Sequence, residues 1–403
     1  MVDYLTAGGS NSGQFQGLQI ANGARSATWS NKKYENAEAW EFADAIPSWG
    51  PVLADTAGRV TNEYLNFFTS IDIPPADPVA RRHADALAIQ LVNKNAQIAG
   101  LRSQLPSDWN RFNNSQQSLP SQHRMSYQTW LAQVGGVKLA VAEADYRTLA
   151  SDWGYWSNLA GGGNQAISVA QQEYNNPGYQ LQVTYSSGVQ LPKRVWHLTP
   201  RLADFVGQAK KGQGTRLSIT MNSSTRKNDT TQSSWGSGGF LLFFICLGAG
   251  GNGKRIDVDT SSADFSMTFD APAFTGIRIT PGPWFNRSVL TQYRNGPFIS
   301  TSPYGNGKAS FFDSQGSFSL MKETVYVAYQ PTVRARIDKS AHQQMQESWN
   351  RGSGLSIGPF SFGGQSSTGS TNRDTFESSK DEITLVSKSP DPQIIAVQNS
   401  IMP

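Results

Sequence analysis

The spacing of hydrophobic residues divides this chain into two parts. Up to residue 176, apolar residues recur every three or four positions, the spacing of one face of an α-helix. After the segment Asn175-Asn176-Pro177-Gly178 they alternate with polar residues, which is the period of a half-buried strand. The pattern predicts an α+β fold, with a bundle of long amphipathic helices over residues 34–176 and an antiparallel, sandwich-like β-rich part over residues 177–403.

Helices in the first part are predicted from these apolar rows and from the prolines at their ends. The predicted segments are 51–71, 78–105, 125–160 and a short one near 165–174. Asp77-Pro78 is typical of a helix start, with a capping carboxylate followed by proline at the first helical position. Pro106 is expected to end that helix, and Gly135-Gly136 is expected to bend the next one. Residues 1–33, rich in Gly, Ser, Asn and Gln, are interpreted as an extended arm.

Strands dominate the predictions for the second part. Alternation is clear near residues 179–185, 217–221, 265–269, 325–329 and 333–337, and shorter runs follow at 383–386 and 394–397. Residues 201–211 and 339–350 are predicted as short helices inserted between strands. The strand with Val333 and Ala335 on one face carries Arg334 and Arg336 on the other, so one of its faces is cationic.

The most unusual segment is a run of eight apolar residues flanked by glycines, Phe240-Leu241-Leu242-Phe243-Phe244-Ile245-Cys246-Leu247. One interpretation is a central strand buried on both faces. The other is an apolar element that leaves the fold and enters a membrane. The run is far shorter than the roughly 20 residues that a membrane-spanning helix requires.

Charge is distributed unevenly between the two parts. Residues 1–176 carry 15 acidic and 12 basic residues, a net charge of −3, whereas residues 177–403 carry 15 acidic and 22 basic residues, a net charge of +7. The β-rich part therefore favours anionic partners such as lipid head groups. The basic residues are dispersed and no nucleic-acid-binding signature is present, so no nucleic-acid partner is expected.

The residues that resemble catalytic or cofactor-binding motifs do not have the residue types and spacing that such motifs require. Gly253-Lys254 follows a glycine-rich run, but Arg255 stands where a phosphate-binding loop needs Ser or Thr. The four histidines and the single cysteine lack the spacing of a metal site. We therefore expect no catalytic residues, no metal, no cofactor and no enzymatic activity.

Two tryptophans outside the apolar rows are candidates for surface contacts. Trp235 and Trp284 lie among Gly, Ser and Pro, so either is a candidate contact to a glycan or a membrane interface, with core packing as the alternative. Together with the residues named above, the membrane or interaction candidates are Trp235, Phe240, Leu241, Leu242, Phe243, Phe244, Trp284, Arg334 and Arg336.

The layout of long amphipathic helices followed by a basic β-rich part resembles that of the three-domain pesticidal crystal toxins. This resemblance implies a soluble pore-forming protein whose β-rich half binds a surface receptor or an anionic membrane and whose helices open on oligomerisation. The alternatives are a structural, self-assembling protein and a glycan-binding or glycan-hydrolysing protein. The N-terminus lacks the pattern of a secretory signal, so we expect cytoplasmic synthesis, with action at a target membrane.

Overall fold

A computed structural model gives the arrangement of the chain as a mixed α+β protein with antiparallel sheets. The residues it describes are 15–27, 35–50, 52–72, 77–118, 124–125, 130–160, 165–185, 188–222, 245–247, 254–256, 262, 264–314, 316–363, 374–379 and 382–402.

Eight α-helices are found within the described residues. They are α1 (Glu35–Asp44), α2 (Val60–Ser70), α3 (Pro78–Ser115), α4 (Val137–Ala160), α5 (Gln165–Asn175), α6 (Leu202–Lys210), α7 (Arg287–Gln292) and α8 (Lys339–Asn350). A π-helical turn, Leu131–Gly135, precedes α4, and a 3₁₀ turn, Pro177–Tyr179, follows α5. The predicted helices near 165–174, 201–211 and 339–350 are confirmed. Instead of a bundle of several long helices, the two long helices α3 and α4 pack against each other as a pair.

Seventeen strands are described. They are β1 (Phe15–Ser26), β2 (Ala45–Pro47), β3 (Asp55–Arg59), β4 (Gln180–Thr184), β5 (Gln190–Arg194), β6 (Trp196–Thr199), β7 (Thr215–Asn222), β8 (Ile245–Leu247), β9 (Lys254–Ile256), β10 (Ser266–Pro281), β11 (Leu320–Tyr329), β12 (Thr332–Arg336), β13 (Leu355–Ile357), β14 (Phe360–Phe362), β15 (Thr375–Ser378), β16 (Ile383–Val386) and β17 (Gln393–Ile401).

The strands form a large sheet and three smaller ones. Nine strands make the large sheet in the order β1-β17-β11-β10-β12-β16-β15, with β6 and β7 also paired to β10. A second sheet has the order β14-β13-β8-β9, and β2-β3 and β4-β5 are two-stranded. All of these strand pairs are antiparallel.

Strand β10 connects two hydrophobic cores. Its first half, with Met267 and Phe269, packs in a core shared with the four-stranded sheet and α8. Its second half, with Ile277 and Ile279, packs in a core shared with the helices. The pairing with β7 shifts register between Ala271 and Phe274, where the strand passes from one core to the other. The helices and the four-stranded sheet are therefore held by the same central strand.

The N-terminal part is tied to the large sheet by buried polar contacts. Lys322 on β11 is fully buried, and its ammonium group donates to the carbonyls of Phe42 and Ala45 at 2.9 Å each and lies 2.7 Å from the Asp55 carboxylate. Residues 15–26, which belong to the segment interpreted as an extended arm, form β1, and β1 pairs with β17 as a strand of the sheet. Gln19 on β1 is fully buried and accepts a hydrogen bond from Asn399 at 2.9 Å.

Two predicted helix boundaries are also wrong. Residues 55–59 form a strand, and α2 begins at Val60 because the buried carboxylate of Asp44 accepts from the backbone N–H of Thr61 at 3.0 Å. Helix α3 continues through Pro106 to Ser115. A proline inside a helix costs roughly 3 kcal/mol, and the aromatic packing beyond it, described below, offsets this loss.

Candidate functional site

Helices α3 and α4 form a long antiparallel hairpin. Helix α3 has 38 residues and is about 57 Å long at a rise of 1.5 Å per residue. Asp77 caps its start, accepting from the N–H groups of Val79 and Ala80 at 2.8 and 3.1 Å, as predicted. The N–H of Asp77 also donates to the carbonyl of Ala160, the last residue of α4, at 2.8 Å, which closes the base of the hairpin.

The part of α3 beyond Ile98 is less buried than the part nearer the base. The buried residues of α3 end at Ile98, so its last 17 residues, about 25 Å of helix, bury no side chain fully. At the far end Trp109 and Phe112 pack on Trp130, with ring centroids 5.5 and 6.0 Å apart. This aromatic contact joins the two helices at the hairpin tip, which we define as residues 105–115 and 130–141.

A glycine pair shapes the turn into α4. A side chain at Gly135 would collide with the Trp130 ring, and one at Gly136 would collide with the Leu131 carbonyl. The N–H of Gly136 donates to that carbonyl at 2.8 Å, which is the hydrogen bond of a π turn. A π turn thus stands where a bend was predicted at Gly135-Gly136, and the close approach of the Trp130 ring requires glycine at position 135.

Exposed valines follow this turn along one side of the tip. Val134, Val137 and Val141 are 52%, 47% and 57% exposed. Spacings of three and four residues place them in one row on the helix surface. A row of apolar side chains beside an aromatic cluster is an unusual surface for a protein that stays fully hydrated.

Polar contacts fasten the middle of the hairpin to the body. Asn95 on α3 donates to the Glu63 carboxylate at 2.7 Å and accepts from Asn62 at 3.0 Å. The Tyr146 hydroxyl on α4 donates to the Asn62 carbonyl at 3.3 Å. Burial raises the pKa of Glu63, against the hydrogen bonds that it accepts from Asn95 and other neighbours. Leu91 and Ile98 of α3 and Trp153 of α4 also pack in the helical core, so the middle of the hairpin is held to the body by polar and apolar contacts together.

A cavity of about 400 Å³ lies beside the middle of the hairpin, between α3, α4 and the body. The body contributes α1, the end of β3, the start of α2, the end of α5 and the β4-β5 ribbon. Basic residues predominate among its charged lining residues, which are Asp44, Arg59, Arg102, Glu143, Arg147, Lys193 and Arg194.

A half-buried ion pair organises one wall of this cavity. Arg59 donates to Glu41 at 2.6 Å, and the Tyr185 hydroxyl donates to the same carboxylate at 2.9 Å. Burial alone would raise the pKa of Glu41, but neighbouring cations, Arg59 foremost, and Tyr185 lower it to about 2. Burial raises the pKa of Asp44, although Arg59 and Thr61 act in the opposite direction. Glu41 is therefore held ionised beside the cavity.

The structure places the sequence-predicted interaction residues at separate locations. Trp284 is fully buried, and its indole N–H donates to the Val195 carbonyl at 2.6 Å. The packing alternative for Trp284 is therefore correct, and this side chain offers no surface for a glycan or membrane contact in this fold. Arg334 and Arg336 lie on the exposed face of β12, as predicted, where Arg334 lies 2.8 Å from Asp270.

The remaining candidates, Trp235, Phe240, Leu241, Leu242, Phe243 and Phe244, lie outside the described residues. The end of the apolar run is described, and Ile245 and Cys246 are buried in β8. Lys254 begins strand β9 rather than a helix, in agreement with the rejection of a phosphate-binding loop.

The described residues contain no group of three or more His, Cys, Asp and Glu side chains that could hold a metal ion. Within the same part of the chain, no helix is both long and apolar enough to cross a membrane. The chain matches no known protein family, no curated protein and no solved structure.

Sequence reasoning missed both the hairpin tip and the cavity. The tip depends on Trp109 and Phe112, which follow a proline that was expected to end the helix. The signal that could have found it is the apolar row continuing past Pro106, with Leu105, Trp109 and Phe112 at helical spacing. The cavity has no local signal, because its basic residues come from segments that are far apart in the sequence.

Proposed function

We propose that the protein is a membrane-active, pore-forming protein and that the hairpin tip is the part that enters the bilayer. The observation that carries the proposal is the row of half-exposed valines, Val134, Val137 and Val141, beside the aromatic cluster at the end of two long helices. An apolar face of this kind partitions into the interface of a membrane.

Oligomerisation of membrane-bound copies of the chain forms the pore. The polar contacts at Asn62, Glu63 and Asn95 release the hairpin, and several copies then turn their apolar rows towards lipid and their polar faces towards a water-filled lumen. Arg334 and Arg336 on the exposed face of β12 are paired with Asp270 and Glu382, so they would bind an anionic membrane or a receptor by exchanging these surface ion pairs. The order of a helical and a β-rich part resembles the pesticidal crystal toxins, but the proposal rests on the hairpin tip and not on that layout.

Dye release from liposomes tests the proposal. We expect the full chain to release dye from vesicles that contain anionic lipid, and the triple substitution Val134→Glu, Val137→Glu and Val141→Glu to lower the initial rate at least tenfold. A charged side chain inside a bilayer costs about 2.5–3.5 kcal/mol on insertion scales. The control is Val189→Glu, at a site that is 50% exposed and belongs to the turn between β4 and β5 rather than to the hairpin.

Two outcomes contradict this proposal. The first is no release by the wild-type chain across lipid compositions, pH values and protease treatments. The second is release by the triple variant at the wild-type rate, because the hairpin tip would then have no part in it.

A second candidate, self-assembly without membrane activity, is favoured by the same valine row, because another copy of the hairpin could cover it. Light scattering over a range of protein concentrations, in the absence of lipid, separates the two functions. Assembly that the triple variant abolishes, combined with no dye release, supports the second candidate. A wild-type chain that remains monomeric at every concentration counts against it.

A further inference from the structure

The cavity beside the middle of the hairpin carries a surplus of positive charge. Five basic residues line it against two acidic ones, which gives a formal charge of +3. Arg102 and Arg147 come from the hairpin, and the other three basic residues come from the body. Positive side chains therefore face the cavity from both sides of the contact between hairpin and body.

Three of these cations are held without a carboxylate. Arg147 donates its Nε–H to a carbonyl of its own helix at 3.3 Å, Lys193 lies 4.4 Å from the Trp40 ring centroid, and Arg194 lies 4.3 Å from the Tyr174 ring centroid. Among the described residues, no carboxylate oxygen lies within 4.0 Å of their charged nitrogens. Stacking on aromatic rings fixes Lys193 and Arg194 in place without a close ion pair, although Lys193 also helps to lower the pKa of the nearby Glu41.

Two buried donors in the lining also lack a partner. The Nε atoms of Arg59 and Arg194 are shielded from solvent, and neither has a hydrogen-bond acceptor among the described residues. Buried donors on charged groups are normally satisfied, and an orphaned pair in one cavity indicates an acceptor that arrives from outside. Arg59 and Arg194 thus add two unpaired donors to the residues that line the cavity.

We infer that this cavity binds a phosphate monoester of a small polyhydroxy compound. A phosphate monoester carries a charge close to −2 at neutral pH and offers three acceptor oxygens, which suits three cations without carboxylate partners. A volume of about 400 Å³ lies in the range of small-molecule sites and leaves room for a ring beside the phosphate. Neutral polar side chains of Ser151, Asn175 and Gln180 also line the cavity and are suited to hydroxyl groups.

The ligand has two chemical sources, a free sugar phosphate or the head group of a phosphoinositide lipid. Isothermal titration calorimetry of the full chain with glucose 6-phosphate, with glucose as the neutral control, tests the first. Sedimentation with phosphatidylcholine vesicles that contain phosphatidylinositol 4-phosphate tests the second. In either case, the substitutions Arg147→Gln and Lys193→Gln should each weaken binding about tenfold, the factor that corresponds to one charge-assisted hydrogen bond.

Lys210→Gln is the control, because this exposed lysine lies on α6, outside the hairpin, and does not line the cavity. It should leave binding unchanged. Melting curves without ligand verify that the variants are folded, and the bound ligand should raise the melting temperature of the wild type in a saturable way.

The inference is overturned if neither probe binds, or if binding is equal in the wild type and in the Arg147 and Lys193 variants. Binding of glucose by itself with the affinity of glucose 6-phosphate also contradicts it, because the phosphate would then contribute nothing. The calorimetric experiment contains no membrane, so it tests the site independently of the proposed function. Binding of glucose 6-phosphate by a chain that releases no dye would support the binding site and contradict the pore-forming function.

Discussion

Replacement of Lys322 by methionine tests whether the N-terminal part and the sheet form one cooperative unit. Methionine keeps the length and apolar stem of the side chain, so the substitution removes the buried ammonium group and little else. It leaves the carbonyls of Phe42 and Ala45 and the carboxylate of Asp55, which is 23% exposed, without this donor. Each unsatisfied buried group costs roughly 1–3 kcal/mol. Part of this cost is offset because the variant no longer has to desolvate an ammonium group. We therefore expect the free energy of unfolding to fall by about 3–5 kcal/mol, the range for removing one partner of a buried ion pair.

Urea unfolding measures this loss by tryptophan fluorescence and by circular dichroism. Lys308→Met, at an exposed lysine, is the control and should change the free energy of unfolding by less than about 0.5 kcal/mol. Adding Asp55→Asn to Lys322→Met should destabilise the chain by less than the sum of the single effects, with a coupling of about 0.5–3 kcal/mol. The reasoning would be refuted if Lys322→Met lowered the free energy of unfolding by less than about 1 kcal/mol. It would also be refuted if the chain unfolded in two separate transitions and the substitution affected only one of them.

The other predictions concern ionisable groups and the core of the hairpin. Because Arg59 and its neighbours lower the pKa of Glu41 from 4.5 to about 2, the stability from this pair is present above pH 4.5 and is lost as the pH falls towards 2. The expected loss of unfolding free energy is roughly 1–2 kcal/mol, a value reduced for solvent screening because the Glu41 side chain is 33% exposed. The variant Glu41→Gln should not show this loss when it is unfolded by acid. Glu63 has a raised pKa, so its contribution is present at low pH and is lost as the pH rises above 4.5; Glu63→Gln should therefore raise the melting temperature at pH 8 and flatten its pH dependence. Leu91→Ala on the fully buried face of α3 should cost about 2–5 kcal/mol in urea unfolding, whereas Ile89→Ala, at a residue that is 59% exposed on the same helix, should stay within about 0.5 kcal/mol.

Local patterns predicted the regular elements of the second part well. The run from Ile383 to Val386 was expected as a strand and is β16, and residues 339–350 were expected as a helix and are α8. In both cases a period of 2 or 3.6 coincides with burial on one face. Asp338 also caps α8 by accepting from the N–H of Ala341 at 2.9 Å.

Long-range contacts determined the features that the sequence did not predict. The start of α2 at Val60 depends on Asp44, a cap supplied by a residue far outside the helix. The aromatic packing of α3 beyond Pro106 depends on Trp130, which lies 15 residues after the end of α3 in the sequence. The strand character of β1 depends on β17 at the opposite end of the chain. A sequence window around any of these elements does not contain the residue that decides its structure.

The candidate site follows the same rule. The valine row is visible in the sequence as an apolar repeat, but its exposure depends on how far the hairpin extends beyond the core. The cavity joins side chains from α1, β3, the hairpin and the β4-β5 ribbon, so its charge could not be inferred from any one segment.

The most direct test of the central claim is the environment of the hairpin tip on a membrane. Cys246 is the single cysteine of the chain and is buried, where burial raises the pKa of its thiol, so a new surface cysteine can be labelled selectively. An environment-sensitive fluorophore on Val137→Cys should shift its emission to the blue and gain intensity when anionic liposomes are added, while the same label on Val189→Cys should change little. Dye release without any change in the emission of the label at position 137 would contradict insertion of the hairpin tip.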